Sequence, residues 1–131
     1  MRSISKRFFC LLLACSMTSI SAATLDCQHP QTQVEMNECA LTMLKREKIS
    51  INDTYDKLNS RLNSVQKQQL KKAQLAWIKY RDLACQFEAS GVAGGSAHGM
   101  ILTSCIAEKT RQRNLELKAL IECQEGNLSC P

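Results

Sequence analysis

The stretch of residues 32–62, TQVEMNECALTMLKREKISINDTYDKLNSRL, decides the fold of this chain. Thr32 followed by Glu35 is a capping box, in which two side chains satisfy backbone donors at the start of a helix. Apolar or small residues then recur mostly at steps of three, four and seven, as on one face of a helix. They are Met36, Ala40, Met43, Leu44, Ile51, Tyr55, Leu58 and Leu62, and Glu47 falls on the same stripe. The stretch predicts one long amphipathic helix, with a bend or break allowed at the weak helix formers of residues 49–52.

Two further helices are predicted downstream, with Ser64 as the N-cap of the second. The second helix ends near Ser90, where Gly91 suits the left-handed position that follows a helix. The third covers about residues 100–121, and no β-type alternation persists in the sequence. We therefore predict an all-α fold, a small disulfide-stapled helical hairpin or three-helix bundle. The expected inward residues are Leu70, Ala73, Trp77, Tyr80 or Arg81, Ala84 and Phe87 in the second helix, and Ile101, Cys105, Glu108, Gln112, Leu115 and Leu120 in the third.

Trp77 and Arg81 lie one turn apart on the second predicted helix. This spacing predicts that the guanidinium group stacks on the indole ring. We expect Arg81 to form an ion pair with Glu108 or Glu47 as well. The contact is interpreted as part of the core rather than as a binding site.

The first 23 residues have the pattern of a secretory signal: a cationic start, a short apolar run, and the small residues Ser21 and Ala23 before a cleavage point. The apolar run is too short to cross a bilayer, which needs about 20 residues. Residues 24–131 then form one domain that is periplasmic or secreted. An alternative is lipoprotein processing at Leu12-Leu13-Ala14-Cys15, which would anchor the protein to a membrane through a lipid on Cys15.

The net charge argues against nucleic-acid binding. The 17 basic residues include Arg2, Lys6 and Arg7, so removal of the signal leaves 14 basic residues against 12 acidic ones. A mature chain of about +2 instead of +5 carries no concentrated basic face of the kind that phosphate backbones require. The run Lys67, Lys71 and Lys72 is interpreted as a solvated helix face.

Six cysteines lie outside the predicted signal: Cys27, Cys39, Cys85, Cys105, Cys123 and Cys130. Many pairings are open in principle, but proximity along the chain favours first with second, third with fourth, and fifth with sixth. Disulfides agree with an exported protein. A metal site is disfavoured because the chain has no C-x-x-C pair and its two histidines are His29 and His98. No cofactor motif is present in the sequence.

Short sequence blocks occur in a characteristic order along the chain. They are Asp26-Cys27, Thr32-Gln33-x-Glu35-Met36-Asn37-x-Cys39-Ala40, Ala73-Gln74-x-Ala76-Trp77-Ile78-Lys79-Tyr80-Arg81-Asp82-x-x-Cys85, Phe87-Glu88-Ala89, Gly94-Gly95-Ser96 and Cys105. Together they resemble the LprI-like lysozyme inhibitor family over roughly residues 25–118. The resemblance implies an exported helical domain with two disulfides, Cys27 to Cys39 and Cys85 to Cys105, and lysozyme as a protein partner. The chain departs from the pattern at His98-Gly99 and in its additional pair, Cys123 and Cys130.

The candidate binding residues are Gly94, Gly95, Ser96 and His98, in a loop with four glycines among residues 91–99. Lysozymes cleave glycans with two carboxylates in a cleft. A loop held at its base by Cys85 and Cys105 would enter such a cleft at a low ordering cost. Ser96 and His98 would donate hydrogen bonds to the carboxylates. The simpler interpretation is that the glycines only make the turn between two helices.

The sequence leaves two other function classes open. A structural or chaperone-like envelope module without inhibitory activity is the alternative, in which Met36 and Met43 form an adaptable apolar groove instead of ordinary core. An enzyme would need a carboxylate pair drawn from Asp82, Glu88 and Glu108, or His98 as a base, but no complete catalytic set is visible. We therefore predict a binding protein without catalytic activity.

Overall fold

A computed structural model describes residues 25–124, 126–128 and 130–131. It contains α1 (Gln33–Arg61), α2 (Ser64–Ala89), a 3₁₀ turn (Ser90–Val92) and α3 (His98–Ile121), with no strand among those residues. The all-α prediction is confirmed. The predicted signal of residues 1–23, its cleavage point and the alternative lipidation residue Cys15 lie outside the described residues.

Helix α3 lies between the other two helices. It runs parallel to α1, because Gln33 lies 3.7 Å from the sulfur of Met100 at one end and Arg61 donates to the carbonyl of Ile121 at the other. It runs antiparallel to α2 on its other side, where Arg113 donates to Gln74. Helices α1 and α2 have few direct contacts with each other. The chain is therefore a three-helix arrangement rather than a hairpin.

The starts of α1 and α2 are fixed by local sequence. The predicted capping box of α1 is confirmed: Thr32 Oγ1 accepts from the Glu35 N–H, and Glu35 Oε2 accepts from the Thr32 N–H. Ser64 was expected to cap α2, but Asn63 does so, with its Oδ1 accepting from the N–H groups of Val65 and Gln66. Asparagine is at least as good an N-cap as serine. Helix α1 also continues without a break through residues 49–52.

Apolar burial is concentrated at the end of the bundle where α1 ends and α2 begins. There Ile51, Leu58, Leu62, Leu70 and Leu117 form one buried cluster, and Tyr55, Trp77, Leu120 and Ile121 pack against it. The opposite end, which we call the loop end, buries only small residues and a half-cystine. They are Ala40, Cys85, Ala89 and Ala107. Small side chains bury little apolar area, so the loop end depends on covalent links.

All three disulfides predicted from proximity along the chain are present: Cys27–Cys39, Cys85–Cys105 and Cys123–Cys130. The first ties the N-terminal arm to α1, and the second ties α2 to α3, both at the loop end. The third closes a small ring in the tail. Two of the three links therefore lie where the apolar core is thinnest, which is the usual use of disulfides in small exported domains.

The predicted inward face of α3 is confirmed only in part: Leu120 packs against the apolar cluster and Cys105 is half-buried. The buried residues are Ala107, Thr110, Asn114 and Leu117, whereas Ile101, Glu108 and Leu115 are exposed. Thr110 and Asn114 are buried because neighbouring helices give them hydrogen-bond partners, which makes polar burial tolerable. In α2, Leu70 is buried as predicted, and of the two alternatives Tyr80 and Arg81 it is Arg81 that lies inside. Tyr80, Phe87 and the predicted inward residue Ala73 are exposed.

Candidate functional site at the loop end

The loop between α2 and α3 is a chain of consecutive turns. The N–H of Ala93 donates to Ser90 O (3.2 Å), that of Gly95 to Val92 O (3.1 Å), and that of His98 to Gly95 O (3.2 Å). Gly94 has a positive φ of 79°, which favours glycine. Gly91 was expected in that conformation, but it continues α2 into the 3₁₀ turn instead. The loop is therefore hydrogen-bonded along its length.

The base of this loop is held by more than one link. The Cα atoms of Cys85 and Cys105 are 5.6 Å apart across the disulfide. Beside them, Lys109 Nζ on α3 lies 3.0 Å from Glu88 Oε1 on α2. The hydrogen bond to Glu88 raises the pKa of Lys109. The two helix ends that carry the loop thus have a fixed separation.

The four candidate binding residues occupy two different positions. Gly94, Gly95 and Ser96 lie together and exposed in the turns, whereas His98 is half-buried as the first residue of α3. No side chain caps the first turn of α3. Within the described residues, His98 takes part in no ion pair. The structure therefore presents a neutral tip of small residues, with one imidazole beside it at the helix start.

A groove of about 510 Å³ lies at the same end, between the N-terminal arm, α1 and α3. Its lining residues are Cys27, Pro30, Met36, Cys39, Ala40, Thr42, Met43, Arg46, Met100 and Ser104. The sequence pointed to Met36 and Met43, which are half-buried on α1. It gave no sign that Met100, far along the chain, completes the lining. Three flexible thioether side chains make this groove adaptable.

The three carboxylates weighed as catalytic candidates do not form a pair. Asp82 lies 2.7 Å from Arg81, Glu88 pairs with Lys109, and Glu108 lies 2.7 Å from Arg111. Hydrogen bonds from Arg111 and Gln112 lower the pKa of Glu108 to about 2, so it is a poor proton donor near neutral pH.

Arg81 stacks on Trp77 as predicted, with its guanidinium carbon 5.0 Å from the ring centroid. Its predicted partners Glu108 and Glu47 are wrong, because it pairs with Asp82 and donates to the hydroxyl of Thr110. Arg81 is largely buried between α2 and α3. It therefore serves the packing of the two helices.

Among the described residues, no cluster of three histidine, cysteine or acidic side chains is arranged to hold a metal ion. None of the helices in that part of the chain is long and apolar enough to cross a bilayer.

Comparison with known proteins identifies one family. The family model described as "Lysozyme inhibitor LprI" matches residues 25–117. An uncharacterized protein of Rhizobium meliloti (strain 1021) is 32% identical over an alignment of 130 positions, and the alignment covers 88% of this chain and 94% of that protein. No solved structure matches the chain. The matched range contains all three helix starts, the glycine loop and the first two disulfides, and it ends before the tail ring.

Proposed function

The chain belongs to the LprI lysozyme inhibitor family, and on this premise we propose that it is an exported protein, without catalysis of its own, that inhibits a glycan-cleaving enzyme with its loop end. The glycine loop would enter the substrate cleft of the enzyme. The structural observation that supports this role is a short, hydrogen-bonded loop whose two ends are joined by Cys85–Cys105.

Preorganisation is the physical reason why such a loop suits an inhibitor. A flexible loop loses conformational freedom when it binds, and that loss weakens binding. Here the turns between Ser90 and His98 are already formed. Gly94 and Gly95 have no side chain and that of Ser96 is small, so the backbone could approach the floor of a narrow cleft. Ser96 and His98 would supply donors to the carboxylates that cleave the glycan.

Charge has a small part in the proposed recognition. No charged residue lies between Ser90 and Ala97, and the chain after removal of the signal is about +2. Long-range attraction to a basic lysozyme is therefore absent. We expect affinity to depend on the shape of the loop and on short-range hydrogen bonds, and hence to change little with salt concentration.

Export is part of the proposal. Three disulfides in a small domain are typical of an oxidising compartment. Mass spectrometry of the purified product identifies its first residue. Thr24 as the first residue supports cleavage after Ala23, a lipidated Cys15 supports the membrane-anchored alternative, and an intact Met1 overturns export.

The central experiment measures inhibition of several lysozyme types by the exported protein. Ser96→Trp adds bulk at the tip without backbone strain, and His98→Ala removes the imidazole. Gln68→Trp, an exposed position on the first turns of α2 at the other end of the bundle, is the matched control. We expect Ser96→Trp to weaken inhibition at least tenfold and Gln68→Trp to leave it unchanged.

Two outcomes would reject parts of this function. Full inhibition by both loop variants would show that another surface contacts the enzyme. A folded, disulfide-bonded protein that inhibits none of the lysozymes would reject inhibition itself. The second candidate function, a chaperone-like envelope module, would then be favoured, because the groove lined by Met36, Met43 and Met100 offers an adaptable apolar binding surface. Suppression of the aggregation of an unfolded client, reduced by Met100→Glu, would test it.

A further inference from the structure

A pocket of about 220 Å³ lies between α1 and α2. Both helices contribute to its lining, which consists of Asn52 and Tyr55 of α1 and Lys71, Gln74, Leu75 and Ile78 of α2. Helices α1 and α2 have few direct contacts, so a cleft is left between them. Leu75 is 58% exposed there. The shared pocket establishes which side of α1 and which side of α2 face the same way.

Lysines surround this pocket. On α1, Lys48 and Lys45 precede Asn52 by four and seven residues, and at 100° per residue they lie within about 40° of it around the helix axis. On α2, four lysines lie within about 80° of Leu75. All six are exposed, and none forms an ion pair within the described part of the chain. We call the pocket and its lysines the lysine cleft; the lysines are Lys45, Lys48, Lys67, Lys71, Lys72 and Lys79.

The lysine cleft is positive although the net charge of the chain is small. On this side of the two helices, the acidic residues beside the lysines are Asp56 and Asp82, and Asp82 already pairs with Arg81 at 2.7 Å. Most of the 12 acidic residues lie elsewhere along the chain. The lysine run at the start of α2 was expected to be an ordinary solvated face. The fold adds two lysines of α1 to it, which net charge and helical periodicity do not reveal.

We propose that the lysine cleft binds the surface of a bilayer that contains anionic phospholipids. Each basic residue held near such a surface strengthens binding roughly fivefold. The pocket adds a place for a headgroup phosphate, because Lys71 and the side-chain amides of Asn52 and Gln74 line it and are hydrogen-bond donors. Arg113 donates to the Oε1 of Gln74, which leaves the amino group of Gln74 for the phosphate.

The apolar residues of the lysine cleft favour a bilayer over a soluble polyanion. Leu75 is exposed among the lysines, with Ile78 and Tyr55 beside it in the pocket. Basic residues around an exposed leucine are typical of surfaces that lie at a membrane interface, where the leucine enters the boundary between headgroups and acyl chains. The aliphatic stems of the lysines can follow it while their ammonium groups stay among the headgroups. A soluble polyanion would leave Leu75 in water.

Membrane binding by this surface leaves the glycine loop accessible. Lys79 is the member of the lysine cleft nearest to the loop on α2, and Gly91 follows it by 12 residues. At 1.5 Å per residue, about 18 Å separates the two along the helix axis. The proposal therefore neither requires nor prevents inhibition of a lysozyme by the loop end.

Co-sedimentation with vesicles tests the proposal on protein made from the full-length sequence and purified after export. All samples carry Cys15→Ala, which removes the alternative lipid anchor. Vesicles of phosphatidylglycerol and phosphatidylcholine in equal parts are compared with vesicles of phosphatidylcholine alone. We expect binding to the anionic vesicles only, and we expect it to weaken as salt is raised from about 0.1 M to about 0.5 M. Absence of binding to the anionic vesicles, or equal binding to both kinds, overturns the proposal.

Paired charge reversals test the location of the surface. Lys48→Glu with Lys71→Glu acts on the lysine cleft. Lys57→Glu with Lys118→Glu changes the net charge equally, but these exposed lysines line a separate pocket between α1 and α3. We expect at least twentyfold weaker vesicle binding for the first pair and less than about a threefold change for the second. Circular dichroism checks that both remain folded. Equal effects of the two pairs would show that net charge alone governs binding, which overturns the assigned surface.

A third variant distinguishes a bilayer from a soluble polyanion. Leu75→Ser keeps every charge of the lysine cleft and removes its exposed leucine. We expect it to weaken vesicle binding at least threefold and to leave binding to inorganic polyphosphate, a probe of charge alone, unchanged. Vesicle binding that is unaffected by Leu75→Ser, or polyphosphate that binds as tightly as the vesicles, would assign the surface to a soluble polyanion and overturn the proposal.

Discussion

Asn114 on α3 donates a 2.7 Å hydrogen bond from its side-chain amide to the hydroxyl of Ser50 on α1. Both residues lie in the interface between the two parallel helices, between the apolar cluster and the loop end. Asn114 is 4% exposed, and its Oδ1 has no hydrogen-bond partner among the described residues. The hydrogen bond fixes the position of α1 relative to α3 along their axes. Asn114 Oδ1 remains a buried acceptor without a hydrogen bond.

The first prediction concerns this polar pair. Asn114→Ala should lower the free energy of unfolding by about 1–2 kcal/mol, because it removes the hydrogen bond and leaves a void. Replacing both partners, in Ser50→Ala with Asn114→Leu, should restore stability to the wild-type value or above it, because leucine fills the void and no Ser50 hydroxyl is left without its donor. Urea unfolding measures both variants. A double variant less stable than Asn114→Ala would contradict the expectation.

The second prediction compares two leucines on α3 whose relative burial cannot be told from the sequence alone. Leu117→Ala should cost about 2–5 kcal/mol, since Leu117 is fully buried in the apolar cluster. Leu115→Ala is the matched control and should cost less than about 0.5 kcal/mol, because its side chain faces solvent. Thermal and urea denaturation give both values. Similar losses at the two positions would mean that the face assigned to α3 is incorrect.

The third prediction concerns the disulfide at the base of the loop. Cys85→Ala with Cys105→Ala should lower stability by about 3 kcal/mol, the value for a loop of 20 residues. Hydrogen exchange at residues 90–97 should accelerate at the same time, because the loop end has few large apolar contacts. Removing Cys123 and Cys130 is the control, and it should leave exchange in the loop unchanged. An unaffected loop in the first variant would show that the turns hold without the link.

The fourth prediction is a pH dependence. The pKa of Glu108 falls from an ordinary value near 4.5 to about 2 because Arg111 and Gln112 donate to its carboxylate. A lowered folded-state pKa contributes stability that is present above about pH 4.5 and is lost as the pH falls toward 2. Glu108 is exposed, so solvent screening keeps the effect small.

We therefore expect Glu108→Gln to lower the melting temperature on the order of 2 °C at pH 6 and to have no effect at pH 2. Glu38→Gln, at an exposed position of α1 without an ion pair among the described residues, serves as the reference. Calorimetric melting at five pH values between 2 and 6 follows the difference. A constant difference across this range would contradict the assigned role of Glu108.

Local features were predicted well because their causes are local. The capping box of Thr32 and Glu35 needs only four consecutive residues, and the disulfide pairs follow from short separations along the chain. The sequence did not decide between two nearby residues that suit the same cap or turn position. Asn63 and Ser64 are both good caps, and the structure has Asn63 in a capping box with Gln66. Gly91 and Gly94 both suit a turn, and of these two only Gly94 has a positive φ.

Of the two features at the loop end, the sequence predicts the glycine loop but only part of the groove. The glycine loop is continuous in sequence, so the position of Gly94, Gly95 and Ser96 between two helices was predictable, and their part in binding stays a prediction. The groove was found only in part, because Met36 and Met43 share one helix whereas Met100 reaches them from α3. Helical periodicity in the sequence reveals only residues that share one helix, so it cannot show that residues from distant parts of the chain line the same groove.

The sequence by itself determined three helices, their approximate limits and the cysteines that join them, because hydrogen-bonded turns and loop closure depend on nearby residues. Only the tertiary structure decided which faces are buried. Asn114 and Arg81 are inside because other helices supply partners for their polar groups, and Tyr80 and Phe87 are outside because α3 covers the other side of α2. Burial of a side chain is a property of what packs against it, and those neighbours lie tens of residues away.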